Sequence, residues 1–369
     1  MHAMRVLASC LSRSWGGMEM FVISSIKLML ADGYSVCLAC IKDSPIERES
    51  KDLPIERLLV DSASLNYKNF SAFITNLKSN EYDIIHTHYS KDLWIIVPAL
   101  KMLRLSTPLI MTKHLGSAIK KKDILHRFIY KRLNHAIAIS EVIRKNILDT
   151  TVMDEKDVSV VYNFIDNKEY SKDKPEKLLR KEYNIDDSTV VLGMVGRITP
   201  AKGHEDVINA IRELDKNDLN IKVFVIGGAS KDEIGFEERL KSLVKEYGLD
   251  KYFIFTGFRS NIADLLPSLD IFLFPSHAEA FGLSLLEAMS AGLPNVVCFS
   301  EGVKEIAIEN LTSLTYEKND YKTLASQILK LINDKDLQTT LSENSVKRAG
   351  DFSTEAYQNE ISDLCESLL

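Results

Sequence analysis

Two glutamates, Glu279 and Glu287, bracket an apolar helix-forming run in EAFGLSLLEAMSAGLP, residues 279–294. The run follows a strand-like stretch that ends in Phe274, Pro275 and Ser276. Doubly wound sheets bind ligands beyond the carboxyl ends of their strands, so residues 276–282 stand at a crevice by topology. Glu279 falls before the helix and Glu287 within it. A lone carboxylate is ordinarily a helix-start or solvated-face residue. Glu287 is flanked by Leu285, Leu286, Ala288 and Met289 and therefore needs a hydrogen-bonding partner, which a ribose diol would supply.

A second constellation is VGRITPAKGHEDVINAI, residues 195–211. Gly196 and Arg197 stand at a strand end, Lys202 and Gly203 just before a helix, so both cations face one crevice. A departing nucleoside diphosphate gathers negative charge, and Arg, Lys and helix-start amides stabilise it without a metal. Taken alone, a pair of loop cations is ordinarily only solvated. Gly16 and Gly17, in SWGGMEMF between the first strand and a helix starting near Met18, let a backbone approach an anionic group, yet such a turn is equally a structural necessity. His86, His88 and His114 stand at or beyond strand ends in IIHTHY and MTKHLGS. Without Cys, Asp or Glu at ligand spacing beside them, no metal site is expected.

Short strand-like runs alternate with amphipathic helical stretches, the α/β pattern of doubly wound parallel sheets. Residues 4–9, 35–41, 82–87, 108–113, 135–139 and 158–161 read as strands of one sheet. Residues 190–195, 222–226, 252–256, 271–275 and 295–299 read as strands of a second. The polar stretch 163–184, with Pro175, holds the connection near 164–172. The expected division is 1–165, 166–352, and a helix 353–369 that can return to the first domain, with Ser353 or Thr354 as its N-cap.

At 369 residues the chain exceeds one ordinary core, and its 45% apolar and 27% charged composition is that of a globular protein. Residues 1–166 hold 22 basic and 18 acidic side chains, the remainder 24 and 34, giving halves of +4 and −10. That asymmetry is too diffuse for a nucleic-acid binder but has the first half meet something anionic, a membrane surface or an acidic glycan. No run is long enough to span a bilayer and no secretory leader is read, so a cytoplasmic chain is expected. The five cysteines have no metal or redox spacing and read as buried thiols.

The glutamate pair with seven residues between and the AGLP turn after it resembles glycosyltransferase family 4. Gly196-Arg197 and Lys202-Gly203 match the family's second-domain motif, and Ser140, the NFID segment from Asn163, and Ser276 with His277 extend the likeness over most of the chain. The resemblance implies a GT-B fold, two Rossmann-like doubly wound domains facing across a cleft, the first taking the acceptor and the second the donor. It implies a retaining, metal-independent transferase that needs no cofactor and takes a hexose-type sugar from a nucleotide diphosphate, UDP or GDP being expected. Arg197, Lys202, Glu279 and His114 would form the catalytic set. Gly16, Gly17, Gly196, Ser276, Phe281, Gly282, Leu283 and Glu287 would bind the donor. Glu287 would hold the ribose, Glu279 would contact the transferred sugar or hold the site around it, and His114 would lie near the reacting carbon and acceptor hydroxyl.

The chain departs from the family pattern at SEGVKE, residues 300–305, where Glu301 replaces the first of two glycines; Gly302 and Glu305 are read as capping and lining a following helix. Between 119 and 133, Lys120, Lys121, Lys122, Arg127, Lys131 and Arg132 lie beside Ile124, Leu125, Phe128, Ile129 and Leu133, as in one amphipathic helix. That helix either meets anionic lipid at the inner face of the plasma membrane or is a core helix with a solvated basic face. The expected acceptor is a glycan or glycolipid of envelope polysaccharide or lipopolysaccharide synthesis. The rival readings are a noncatalytic nucleotide-sugar-binding subunit and a nucleotide-sugar epimerase or phosphorylase on a related fold, separated by turnover and by phosphate dependence.

Overall fold

The computed structural model describes residues 4–171, 177–215 and 219–369. It divides into two compact units, Met1–Asn163 with Glu355–Leu369, and Phe164–Thr354. Lys172 to Pro175, in the expected connection, lie outside the described residues.

In the first unit, strands β1 (Arg5–Cys10), β2 (Ser35–Ile41), β3 (Glu56–Val60), β4 (Ile84–Thr87), β5 (Leu109–Lys113), β6 (His135–Ala138) and β7 (Val158–Val160) form a parallel sheet in the order β3-β2-β1-β4-β5-β6-β7. All four residues of β4 and all five of β5 are buried, as expected of parallel strands covered on both faces. Side-chain caps start several helices: Asn66 accepts from the amide of Asn69, and Ser140 from that of Ile143. The helix Thr354–Leu368 belongs to this unit, where Tyr357 meets Phe21 edge-on at 5.5 Å.

In the second unit, β8 (Val190–Val195), β9 (Ile221–Ile226), β10 (Phe253–Gly257), β11 (Ile271–Phe274), β12 (Asn295–Cys298) and β13 (Leu314–Tyr316) run parallel in the order β10-β9-β8-β11-β12-β13. Its core gathers Leu192, Val223, Ile271, Leu273 and Val296 from the strands with Val207, Ile211 and Ile328 from the helices.

Two strands lacked a legible pattern in the sequence. β3 reads ERLLV with only two buried residues, and β13 has three residues, too short for a period. The expected amphipathic helix of 119–133 is confined to Ile124–Tyr130, because Asp123 caps it through the amides of Leu125 and His126. Lys120, Lys121 and Lys122 lie in the irregular segment before it. Its apolar stripe is also divided: Ile129 and Leu133 are buried, whereas Ile124, Leu125 and Phe128 are exposed. Residues 301–306 form hydrogen-bonded turns where Gly302 and Glu305 are expected to cap and line a following helix.

Candidate active site

In the second sheet the strand order reverses between β8 and β11, the point at which a doubly wound sheet opens a crevice beyond its carboxyl ends. Two loops meet there. After β8 the chain passes Gly196 and Arg197, makes a short 3-10 turn at Pro200–Lys202, and enters the helix His204–Leu214 through Gly203 at φ +65°. After β11 it runs through Pro275, Ser276 and His277 to Glu279. Gly203 is dictated twice over, by its left-handed backbone and because a Cβ there would stand 2.0 Å from the Pro275 carbonyl oxygen. The amide of His277 donates to the Ala201 carbonyl at 2.8 Å, and on the other side a Cβ on Gly302 would stand 2.3 Å from the Glu279 carbonyl oxygen. Both loops are therefore fixed by backbone contact.

This packing sets Lys202 against Glu279, Nζ to Oε2 at 2.5 Å, with the side chains 27% and 16% exposed. The Ser276 hydroxyl donates to the same Oε2 at 3.2 Å, and the Ala280 amide donates to Oε1 at 3.3 Å. Gly196, Lys202 and Ser276 line one depression. Arg197 is exposed at the end of β8 and has no ion-pair or hydrogen-bond partner among the described residues. The arrangement offers one cation held by a carboxylate and one left for an anion.

Glu287 lies one turn into the helix Leu283–Ser290, which starts at Gly282 with φ +109°. The amides of Leu285 and Leu286 bond the Gly282 carbonyl, leaving those of Leu283 and Ser284 as first-turn donors of the kind that receive anions. The Tyr170 hydroxyl donates to Glu287 Oε1 at 3.1 Å. Burial raises this carboxyl to about 7, against the lowering pull of the Tyr170 hydrogen bond, and the nearby Glu169 charge adds to the rise. Part of the hydrogen bonding expected from a ribose is thus supplied by the protein. The Phe281 ring is only 2% exposed and packs edge-on against Phe352 at 5.6 Å, so a donor would meet its backbone and not its ring. Glu301 is exposed and pairs with Lys304 at 2.9 Å.

Gly16, Gly17 and His114 belong to the first unit. Gly16 precedes the helix Gly17–Ala31 with extended backbone and no side-chain cap. His114 follows β5, is buried, and its Nε2 lies 3.3 Å from His88 Nδ1. Burial, with the nearby His86 and Lys113, pushes it down to about 3, so at neutral pH it is an uncharged polar group that gives up no proton. His86 bonds the Thr112 hydroxyl at 2.8 Å, a scaffold role. Among the described residues no three His, Cys, Asp or Glu side chains converge as a metal-ion set. The five cysteines are free and buried.

Residues 15–169 match the family model described as Glycosyltransferase Family 4, and residues 175–348 the one described as Glycosyl transferases group 1. An uncharacterized glycosyltransferase of Methanocaldococcus jannaschii is 30% identical over 286 residues, 76% of this chain and 74% of its own. The chain belongs to glycosyltransferase family 4. N-acetyl-alpha-D-glucosaminyl L-malate synthase of Bacillus anthracis is 29% identical to this family-4 chain over 270 residues, 71% of it and 68% of the synthase. UDP-Gal:alpha-D-GlcNAc-diphosphoundecaprenol alpha-1,3-galactosyltransferase of Escherichia coli is 24% identical over 344 residues, 86% and 85% of the two chains. Anabaena HepE, solved with UDP and glucose, shares the fold at TM-score 0.84 and 20% identity, covering 99% of this chain and 100% of its own. The fold is GT-B, with two Rossmann-like α/β domains.

The structure of this family-4 glycosyltransferase adds site residues that the sequence reading passed over. Asp206, in the first turn of His204–Leu214, is 5% exposed and its Oδ2 accepts from His277 Nε2 at 2.7 Å, from the Tyr316 hydroxyl at 3.2 Å and from the Asn319 amide at 3.2 Å. It ties the loop bearing Ser276 and Glu279 to the end of β13. Tyr170 was passed over for a different reason, its 117-residue separation from Glu287. In the first unit, Asp92 is fully buried and accepts from Ser9 Oγ at 2.7 Å and the Leu11 amide at 3.1 Å, which holds the start of the glycine loop. Asp206 had one legible signal, an acidic residue in a helix first turn four positions after Lys202.

Proposed function

We propose that this glycosyltransferase moves a hexose-type sugar from a nucleoside diphosphate, UDP or GDP, to a glycan or lipid-linked acceptor with retention of anomeric configuration. The observation that carries this reading is the Lys202–Glu279–Ser276 group at the β8/β11 switch point, with Arg197 at the end of β8 unpartnered among the described residues. Arg197, Lys202 and the first-turn amides of Leu283 and Ser284 take the diphosphate and stabilise the charge it gains on leaving. Glu287 accepts from the ribose diol and Glu279 orients the sugar. The acceptor oxygen bonds to the anomeric carbon on the face the diphosphate leaves, the carbon–phosphate oxygen bond breaks, and the hydroxyl proton passes to the departing phosphate. No metal is assigned to the step, because the two cations stand where that charge develops. The UDP and glucose held by HepE, and the UDP-Gal donor and diphosphoundecaprenol-linked acceptor in the name of the Escherichia coli relative, support this choice of substrates.

The proposal extends to an envelope polysaccharide or lipopolysaccharide acceptor at the cytoplasmic face of the membrane. Exposed Leu115, Ile119, Ile124, Leu125 and Phe128 lie among exposed Lys120, Lys122, Arg127 and Lys131, a composition suited to anionic lipid. Among the described residues no helix is long and apolar enough to cross a membrane. Co-sedimentation with phosphatidylglycerol vesicles but not phosphatidylcholine vesicles is the expected result, and equal recovery with both contradicts the contact. For the chemistry, the chain is incubated with UDP-glucose or GDP-mannose and the released or transferred sugar is followed by proton NMR. An α-anomer as first product supports retention. A β-anomer refutes it, and sugar phosphate appearing only with inorganic phosphate refutes transfer.

A further inference from the structure

Beside His114 the first unit holds two lysines whose surroundings do not satisfy them. Lys113, the last residue of β5, is only 6% exposed, and its ammonium has one hydroxyl, Ser90 Oγ, at 3.3 Å. Lys121 is partly buried, and its ammonium has one hydroxyl, Tyr130 Oη, at 3.4 Å. Burial, and then the neighbouring Lys121, push Lys113 down to about 8. Burial lowers Lys121 as well, while its hydrogen bond with Lys113 raises it. Among the described residues neither lysine pairs with a carboxylate.

An ammonium has three donors, and burying it without an opposing charge is costly, so buried cations are as a rule paired. Here two of them converge on neutral hydroxyls from Ser90 and Tyr130. Next in sequence to Lys113, His114 contacts His88, whose Nε2 is buried with no hydrogen-bond partner among the described residues. The two lysines therefore lack an opposing charge at the carboxyl end of β5.

We propose that Lys113 and Lys121, with the hydroxyls of Ser90 and Tyr130, form a binding site for an anionic group, phosphate or carboxylate, carried by the acceptor substrate. The inference rests on the transferase reading to the extent that the first unit takes the acceptor. An anion seated between the two side chains would favour the charged form of both and fill the donors each leaves open. The acceptors named for two relatives, L-malate and a diphosphoundecaprenol-linked sugar, are both anionic, one through carboxylates and one through phosphates.

The test is calorimetric titration of the full chain with inorganic pyrophosphate, L-malate and geranyl diphosphate, repeated in Lys113→Met and Lys121→Met. Methionine keeps the length of the buried side chain without its charge, and thermal melting checks that both variants fold. The expected result is binding of at least one anion, weakened tenfold or more by each substitution, while UDP affinity changes less than twofold. Preference for malate names a carboxylate acceptor, for pyrophosphate a soluble phosphorylated one, and for geranyl diphosphate a lipid-linked one. Failure of all three to bind overturns the site, as does binding unchanged in both variants or binding abolished by Arg197→Ala. Loss of UDP binding in the wild-type chain is a separate failure, that of the donor reading.

Discussion

Glu279→Gln separates two effects that the free protein combines. Its carboxylate holds the Lys202 ammonium at 2.5 Å, so an incoming diphosphate must compete for that cation and also meets a negative charge. Coulomb's law at that distance gives about 1.7 kcal/mol in bulk water and about 7 kcal/mol at an effective dielectric of 20. With side chains 27% and 16% exposed, desolvation cancels most of this, and partly exposed pairs contribute about 1 kcal/mol net. Glutamine keeps an acceptor for Ser276 but frees Lys202. We expect UDP to bind about fivefold tighter to Glu279→Gln, a change of about 1 kcal/mol. Transfer should fall on the order of a hundredfold, since the polar group that orients the sugar has lost its charge. Lys202→Met should weaken UDP about tenfold, and lower salt should enlarge both changes. Isothermal titration with UDP and single-turnover transfer with UDP-glucose measure the two sides. If Glu279→Gln weakens UDP as much as Lys202→Met does, Glu279 is not the counter-ion of Lys202, and the reasoning fails.

Other expectations follow from the same geometry. Glu287 has a folded value raised from 4.5 to about 7, so its penalty on stability is absent below 4.5, grows as pH rises to about 7 and is constant above. Glu287→Gln should therefore raise the melting temperature at pH 8 and leave it nearly unchanged at pH 4.5, and equal shifts at both would contradict the assignment. UDP affinity should fall by up to about tenfold per pH unit below 7 in the wild type relative to Glu287→Gln, which shares the nucleotide's own titration. Asp206→Ala should cost about 2–4 kcal/mol in chemical denaturation, because it strands His277, Tyr316 and the Asn319 amide together; a loss under about 1 kcal/mol would mean water replaces the carboxylate. Gly302→Ala must displace the Glu279 backbone, and kcat should fall tenfold or more with a small change in melting temperature. Unaltered kcat would show that the loop yields elsewhere.

The fold and the donor-side motifs were legible because their signals are local. A parallel strand is an apolar run, a glycine before a helix is punctuation, and Glu279 and Glu287 share one short segment, so the second-unit crevice could be assembled by topology. β3, with two of its five residues buried, and β13, with three residues, carry too little pattern. Contacts between distant segments were illegible in principle: nothing near Tyr170 announces Glu287, and nothing near Asp206 announces His277 or Tyr316. The charge of the 119–133 stretch was readable, but not that Asp123 starts the helix late or that Lys121 turns toward Lys113. Phe281 is a motif position whose side chain serves the core, which the motif alone does not announce.

The central claim, that the second unit holds a nucleoside diphosphate through Arg197 and Lys202, is tested most directly by titrating UDP, GDP, ADP and dTDP into the wild type and Arg197→Ala. The account predicts that one of these nucleotides binds selectively and that Arg197→Ala weakens it at least tenfold. Absence of binding by all four, or equal binding to both proteins, would contradict it.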